Sequence, residues 1–256
     1  MTTPVTVAGR LTTVLLNQFD FTSQLDSLNR DSIVDQADVT TFGNTSHVRA
    51  PHNLDAKIDF SGFFDGSTTS SFNRVVQSLL GTYGVVTCSR EGNVAGAHAD
   101  LICGIIENNA VDAKSVGIET TKLTIQASNP NGLAYDVPSM GYGKLLLPST
   151  TVGVTTLVTG TAVAFIPVNA TLGNSQVIVH AHLLAAFGAT TVSIQYSPDG
   201  TTWTTLGTVI SSSVPTATRT AFSVPNTGGN PLFRVQYQGA SAPYTLAVAL
   251  ALGASY

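Results

Sequence analysis

Charge is spread so unevenly along this chain that it divides the chain in two: beyond Pro148 the only charged side chains are Asp199, Arg219 and Arg234. A stretch this long and this poor in charge has no ionic shell to solvate it. Its exposed positions must be Thr, Ser, Asn, Gln and Gly, and its fold must rest on elements in which such residues alternate with apolar ones. The stretches 162–168, 177–184, 191–197, 201–210, 219–224, 232–238 and 244–250 all read as short strands. In one of them Phe233, Val235 and Tyr237 alternate with Arg234, Gln236 and Gln238. Ser197-Pro198-Asp199-Gly200 is a strong turn joining Val192, Ile194 and Tyr196 to Trp203. Such a succession of strands implies a β-sandwich, immunoglobulin-like or jelly-roll. Over the whole chain only 10% of residues are charged, against about 25% in ordinary domains. A surface of that kind is easier to cover with neighbouring subunits than to keep dispersed.

The first part carries the charges and a different pattern. Leu54, Ala56, Ile58 and Phe60 alternate with Asp55, Lys57 and Asp59, and Leu123, Ile125 and Ala127 with Lys122, Thr124 and Gln126. Both are half-buried strands, and 11–16 reads as an earlier one. Phe72, Val75, Val76, Leu79 and Leu80 fall on one helical stripe, which predicts a helix over about 70–80. Ser70 or a neighbouring Thr caps its start, and Gly81 in the left-handed conformation ends it. A single amphipathic helix among strands belongs across one face or end of a β-sandwich or barrel. Residues 28–53 are polar with little periodicity, and hold Arg30, Asp31, Asp35, Asp38, Phe42, His47, Arg49 and His52. They form a long loop or an extended hairpin arm, of a length that usually carries function. Gly and Pro between Asn129 and Pro148 set the expected division: a first domain at 1–138, a linker at 139–149, and a second sandwich at 150–256.

Little catalytic chemistry is legible. The net charge of −4 and the lack of a Lys/Arg cluster exclude a protein that grips nucleic acid by neutralising phosphates. No Gly-x-Ser-x-Gly elbow occurs, and Gly141-Tyr142-Gly143-Lys144 lacks the rest of a phosphate-binding loop. Cys88 and Cys103 are too few for a disulfide scaffold or thiolate metal site and read as reduced, buried residues. His180 and His182 share one face of a strand and are read as packed against the adjoining domain or a neighbouring subunit, with a shared metal as the alternative. Ser46, His47, His52 and Asp55 assemble into an acid/base site only on paper, and the acidic series from Asp20 to Asp38 reads as a solvated edge. Trp203, Tyr196 and Tyr237 read as core, with an exposed sugar platform as the alternative. The expectation is a non-enzyme with no cofactor, no metal, no leader and no membrane insertion.

In residues 1 to about 138 the order of features resembles the tail tube proteins of long-tailed phages. The resemblance is carried by Asp38-Val39-Thr40-Thr41-Phe42-Gly43-Asn44, then Asn53 to Gly66, then the capped helix. It covers about half the chain. It implies a mostly β fold: a tail-tube-like sandwich or barrel with one flanking helix, followed by a C-terminal sandwich as decoration. It further implies hexameric rings stacked into a tube with other tail proteins, in a virion assembled in the host cytoplasm. Double-stranded DNA would pass through the lumen without specific binding, and the segment carrying Arg30, Asp31, Asp35, Asp38, Phe42, His47, Arg49 and His52 would reach the neighbouring ring. The competing expectations are a capsid or tail decoration protein and a carbohydrate-binding or adhesion module, the last with Trp203 as the glycan contact.

Overall fold

A computed structural model describes residues 12–38, 49–64, 71–112, 119–128, 141–165, 175–224 and 230–253. Alternation in the sequence becomes strands almost throughout. In chain order they are β1 (Thr13–Leu16), β2 (Phe19–Asp20), β3 (Leu25–Asp38), β4 (Arg49–Phe63), the helix α1 (Phe72–Leu79), β5 (Tyr83–Ser89), β6 (His98–Asp112) and β7 (Thr120–Ala127). There follow β8 (Gly141–Val152), β9 (Val158–Thr159), β10 (Val163–Ala164), β11 (Ser175–Ala185), β12 (Thr190–Ser197), β13 (Thr204–Ser212), β14 (Thr216–Val224), β15 (Leu232–Gly239) and β16 (Tyr244–Gly253). The fold is mostly β with antiparallel pairing, as the sequence predicts. Phe42, His47 and Ser70 lie outside the described residues.

The strands sort into two compact units that interleave in sequence. One holds Met1–Ser23, Val85–Leu101 and Gly141–Tyr256; the other holds Gln24–Gly84 and Ile102–Met140. The consecutive division expected at 138 and 150 is therefore not the one that chain contacts produce. The stretch 139–149, expected as a linker, falls largely within β8, which pairs with β16 along one edge and with His98–Leu101 of β6 along the other. Gly143 is there for close approach and not for looseness: a Cβ on it would fall on the carbonyl oxygen of Leu250.

In the unit containing α1, the strand order is β3-β4-β7-β6. Ala56, Ile58 and Phe60 of β4, Leu123 and Ile125 of β7 and Ile106 of β6 are buried, as are Phe72, Val75 and Val76 of α1. The helix lies against β4 and β7. Its N-cap is Ser71, with extended backbone, and the cap bond comes from elsewhere: Gln24 Oε1 accepts from the Phe72 N–H at 2.7 Å. Gly81 takes a φ of 75°, as expected, and its N–H donates to Ile106 O at 2.9 Å. The apolar stripe is shorter than the sequence suggests. The helix stops at Leu79, so Leu80 leaves the stripe and is 41% exposed.

The other unit is a two-sheet sandwich with a further layer. One sheet runs β14-β11-β16-β8 and continues through the start of β6 to β5, β1 and β2; the second runs β10-β15-β12-β13, with β9 on β15. Val177, Val179, Leu183, Leu246, Val248 and Leu250 face Val192, Ile194, Tyr196, Phe233, Val235 and Tyr237 in one core. Tyr196 and Tyr237 are thus core residues. The intervening Ala247, Ala249 and Ala251 of β16 are equally buried, on the opposite face; Ala249 and Ala251 pack with Ala97, Ala99, Leu101 and Leu145. Neither cysteine is in a disulfide: Cys88 and Cys103 are both buried thiols, and burial pushes the Cys88 thiol far above its ordinary value.

Gly143 distinguishes a central strand from a linker. Gly143→Ala is expected to destabilise the protein by about 1–3 kcal/mol through overpacking, read as a lower urea midpoint; an unchanged midpoint would restore the linker reading.

Candidate functional site

The segment with the charged cluster is the hairpin arm, of the two forms its sequence allowed. β3 pairs with β4 from Leu25↔Gly62 out to Asp38↔Arg49, whereas β7 covers β4 only along Lys57–Phe63. Beyond the Asp31↔Lys57 pair the arm is a two-stranded ribbon, and among the described residues neither of its outer edges has a strand partner. An isolated two-stranded ribbon is marginal in water. Its unpaired N–H and C=O groups are a template for another strand.

Register places the expected site residues along this ribbon. Asp31 sits opposite Lys57, and Asp38 opposite Arg49 at the far end. Between the Val34↔Leu54 and Gln36↔Pro51 pairs β4 carries one residue more than β3, so Asp35 and His52 both fall at a bulge, where a strand twists and re-aims its neighbours. Arg30 lies opposite Ile58 on the face that α1 covers, away from Asp31. On the Asp31 face, Lys57 approaches Asp59 at 3.7 Å and the Thr124 hydroxyl donates to Asp59 Oδ1 at 2.7 Å. Charges of both signs alternate there, and no single-sign field results.

His180 and His182 are fully buried beneath β1 and β5. Each Nδ1–H donates to a backbone carbonyl, His180 to Val86 O at 2.9 Å and His182 to Asn17 O at 2.7 Å. The Thr87 hydroxyl donates to His182 Nε2 at 2.8 Å and lies 3.4 Å from His180 Nδ1. Burial keeps both imidazoles neutral against the pull of these carbonyls, and of their four ring nitrogens only His180 Nε2 lacks a partner among the described residues. The pair therefore ties the N-terminal strands to β11, and no group of three or more His, Cys, Asp or Glu able to hold a metal occurs among the described residues. Nothing in the sequence announces Thr87 as the bridge, because it lies on a strand 93 residues from His180.

Trp203, half-buried just before β13, does not join Tyr196 and Tyr237. Its ring is instead covered by the Arg234 guanidinium at 3.9 Å. Nothing in the sequence pairs Arg234 with Trp203, although Arg234 is one of only three charges beyond Pro148.

No family model matches the chain, and no curated protein matches it. Among solved structures it is similar to a chain from the virion of a native gene transfer agent particle, with a TM-score of 0.39 and 13% identity over 53% of this chain and 97% of that one. It is also similar to the Dit protein (gp 19.1) of SPP1, described as a hub adsorption apparatus of phages infecting Gram-positive hosts. That match has a TM-score of 0.34 and 16% identity over 93% and 98% of the two chains. A third is the structure of infectious bursal disease virus strain Gx, with a TM-score of 0.31 and 7% identity, covering 96% of this chain and 57% of that one. No described helix is long and apolar enough to cross a membrane.

Burial pushes the pKa of His180 down to about 3 and that of His182 to about 4, from 6.5. Between those values and 6.5 the unfolded chain binds protons that the folded one refuses. Stability is therefore complete above about pH 6.5 and falls as pH drops towards 4, by about 1.4 kcal/mol per unit for each histidine. Urea midpoints should decline across pH 7 to 4.5, and His182→Gln should flatten roughly half of that decline. Parallel profiles for the two proteins would show that His182 does not titrate with folding.

Proposed function

We propose that the chain is a non-enzymatic structural subunit of a phage-type virion: a tail tube protein whose hexameric rings stack into a conduit for DNA. The observation that carries the reading is the arm. A ribbon with two unpaired edges is stabilised when another subunit supplies a strand or a docking groove, and main-chain pairing of this kind gives affinity without side-chain chemistry. A ring of such subunits, each arm reaching the next ring, polymerises without any cofactor. The low charge of the chain favours the assembled state, and the balanced charges around Asp31, Lys57, Asp59 and Lys122 provide no field to hold phosphate, so DNA slides past a lumen of this character. The resemblance of residues 1 to about 138 to tail tube proteins supports the same reading, in which the protein acts in the tail together with other tail proteins.

Arm and fold separate cleanly in one variant. Removing residues 33–55 and joining Ser32 to Ala56 through Asn-Gly closes the hairpin at an existing register pair with a favoured two-residue turn. Negative-stain microscopy of the wild-type protein over a range of concentrations should show stacked six-fold rings or tubes, and the shortened protein should remain folded by circular dichroism but form none. Wild-type particles that close as single rings and never stack would move the reading to a hub or decoration role, and tubes from the shortened protein would remove the arm from assembly.

A further inference from the structure

The outer face of the β10-β15-β12-β13 sheet, opposite the sandwich core, is built from side chains in register across strands. One row runs Thr205, Gln195, Arg234 and the next includes Ser193, Gln236 and Thr159. The side chains are tied to one another along these rows: Gln195 Nε2 donates to Thr205 Oγ1 at 3.3 Å, and Gln236 Nε2 to Thr159 Oγ1 at 3.4 Å. These rows hold amides and hydroxyls with a single charge, Arg234, and Trp203 stands beside it.

Arg234 is held in a way that leaves half of it unused. Its guanidinium lies on the Trp203 ring at 3.9 Å, and its Nε–H donates to Gln195 Oε1 at 2.7 Å, Gln195 itself being buried to 8% exposure. Stacking and one hydrogen bond to a neutral amide fix the plane of the fork, while no carboxylate among the described residues pairs with it. Asp199, in the turn that leads to Trp203, is committed within that turn: its Oδ1 accepts from the backbone N–H groups of Thr201 and Thr202 and from the Ser197 hydroxyl. A half-buried cation that is oriented but not neutralised is complementary to an anion able to accept from the two terminal nitrogens side by side. Its neighbours select what carries that anion. Amides and hydroxyls at strand spacing match sugar hydroxyls, which both donate and accept.

We propose that Arg234, Trp203 and Gln195, with Gln236 and Thr205 beside them, form a binding site for an anionic saccharide, one bearing a carboxylate or a phosphate on a sugar or polyol. The guanidinium takes the anion and the polar rows take the hydroxyls. This site lies within one unit and does not depend on the tail reading: a chain that forms no tubes still binds, and a chain that forms tubes can fail to.

Trp203 is the only tryptophan in the sequence, so its fluorescence reports this site alone. The full-length protein is titrated with a hyaluronan tetrasaccharide, a glycerol phosphate oligomer, chitotetraose and inorganic phosphate. A saturable change is expected with the hyaluronan or the glycerol phosphate oligomer, whichever carries the preferred anion, and at least tenfold weaker binding to chitotetraose and to inorganic phosphate. Arg234→Gln should weaken the anionic ligand at least tenfold with an unchanged melting temperature, and Trp203→Phe should weaken it by calorimetry. Equal affinity for chitotetraose or for inorganic phosphate, full binding by Arg234→Gln, or no saturable change with either anionic oligomer would each overturn the proposal.

Discussion

The β11–β16 pair is buried on both faces, and the architecture of its unit follows from that. One face of β16 presents Leu246, Val248 and Leu250 to the second sheet, while the other presents Ala247, Ala249 and Ala251. A strand sheathed on both sides needs a third layer, and this unit takes it in part from 85–101, where Ala97, Ala99 and Leu101 pack on Ala249 and Ala251. Each large aliphatic side chain so covered contributes about 1.5–3 kcal/mol relative to exposure. The histidines of β11 make the cover specific. Two imidazoles in a dry layer are costly unless their N–H groups find acceptors, and the carbonyls of Val86 and Asn17 provide them only when β1 and β5 lie in one register. Apolar packing alone would tolerate a slip; these bonds do not.

That arrangement also explains why the fold was readable element by element but not as a partition. Period-two alternation marks Ile58, Phe60, Leu123, Phe233 and Val235 correctly because each lies on a strand with one wet face, and the stripe of Phe72, Val75 and Val76 marks the helix for the same reason. Gly141 and Gly143 look like linker residues because sequence pattern reports local conformational freedom. The actual use of Gly143, close approach of two backbones between β8 and β16, is a tertiary fact, as is the pairing of Gly141 with Leu101 of β6. The interleaving is invisible for a related reason: nothing local to residues 85–101 says that their partners lie beyond residue 141. The histidine pair was recognisable as buried and packed, but its tie to Thr87 required the fold.

The arm was ambiguous in sequence because a ribbon that leaves its sheet has no continuously buried face, and without one there is no reason for apolar residues to recur at any period. Polar composition then fits loop and hairpin equally. Backbone pairing resolves it, from Leu25↔Gly62 to Asp38↔Arg49, with a bulge at Asp35 and His52. A bulge in an otherwise regular ribbon fixes register and twist at one point. This matters for a surface whose proposed role is to be met by a strand or groove of another subunit, since an untwisted, unpinned ribbon would pair with any exposed edge it encountered.

The second sheet deals with its edge in the opposite manner. Among the described residues β13 pairs only with β12, and its register shifts twice, between Val192 and Ser193 and between Ile194 and Gln195 of its partner. Repeated irregularity twists an edge strand away from flat pairing and so blocks strand addition. What this sheet offers is its face. There the register that sets Gln195 beside both Thr205 and Arg234 converts backbone order into a fixed array of side chains, and with charge so scarce in this half of the chain no carboxylate among the described residues quenches Arg234. The same feature that makes the surface easy to cover with neighbouring subunits makes its one oriented cation conspicuous: in a charge-rich domain a guanidinium stacked on Trp203 would be neutralised by its neighbours, and here it is held open by amides and hydroxyls that cannot do so.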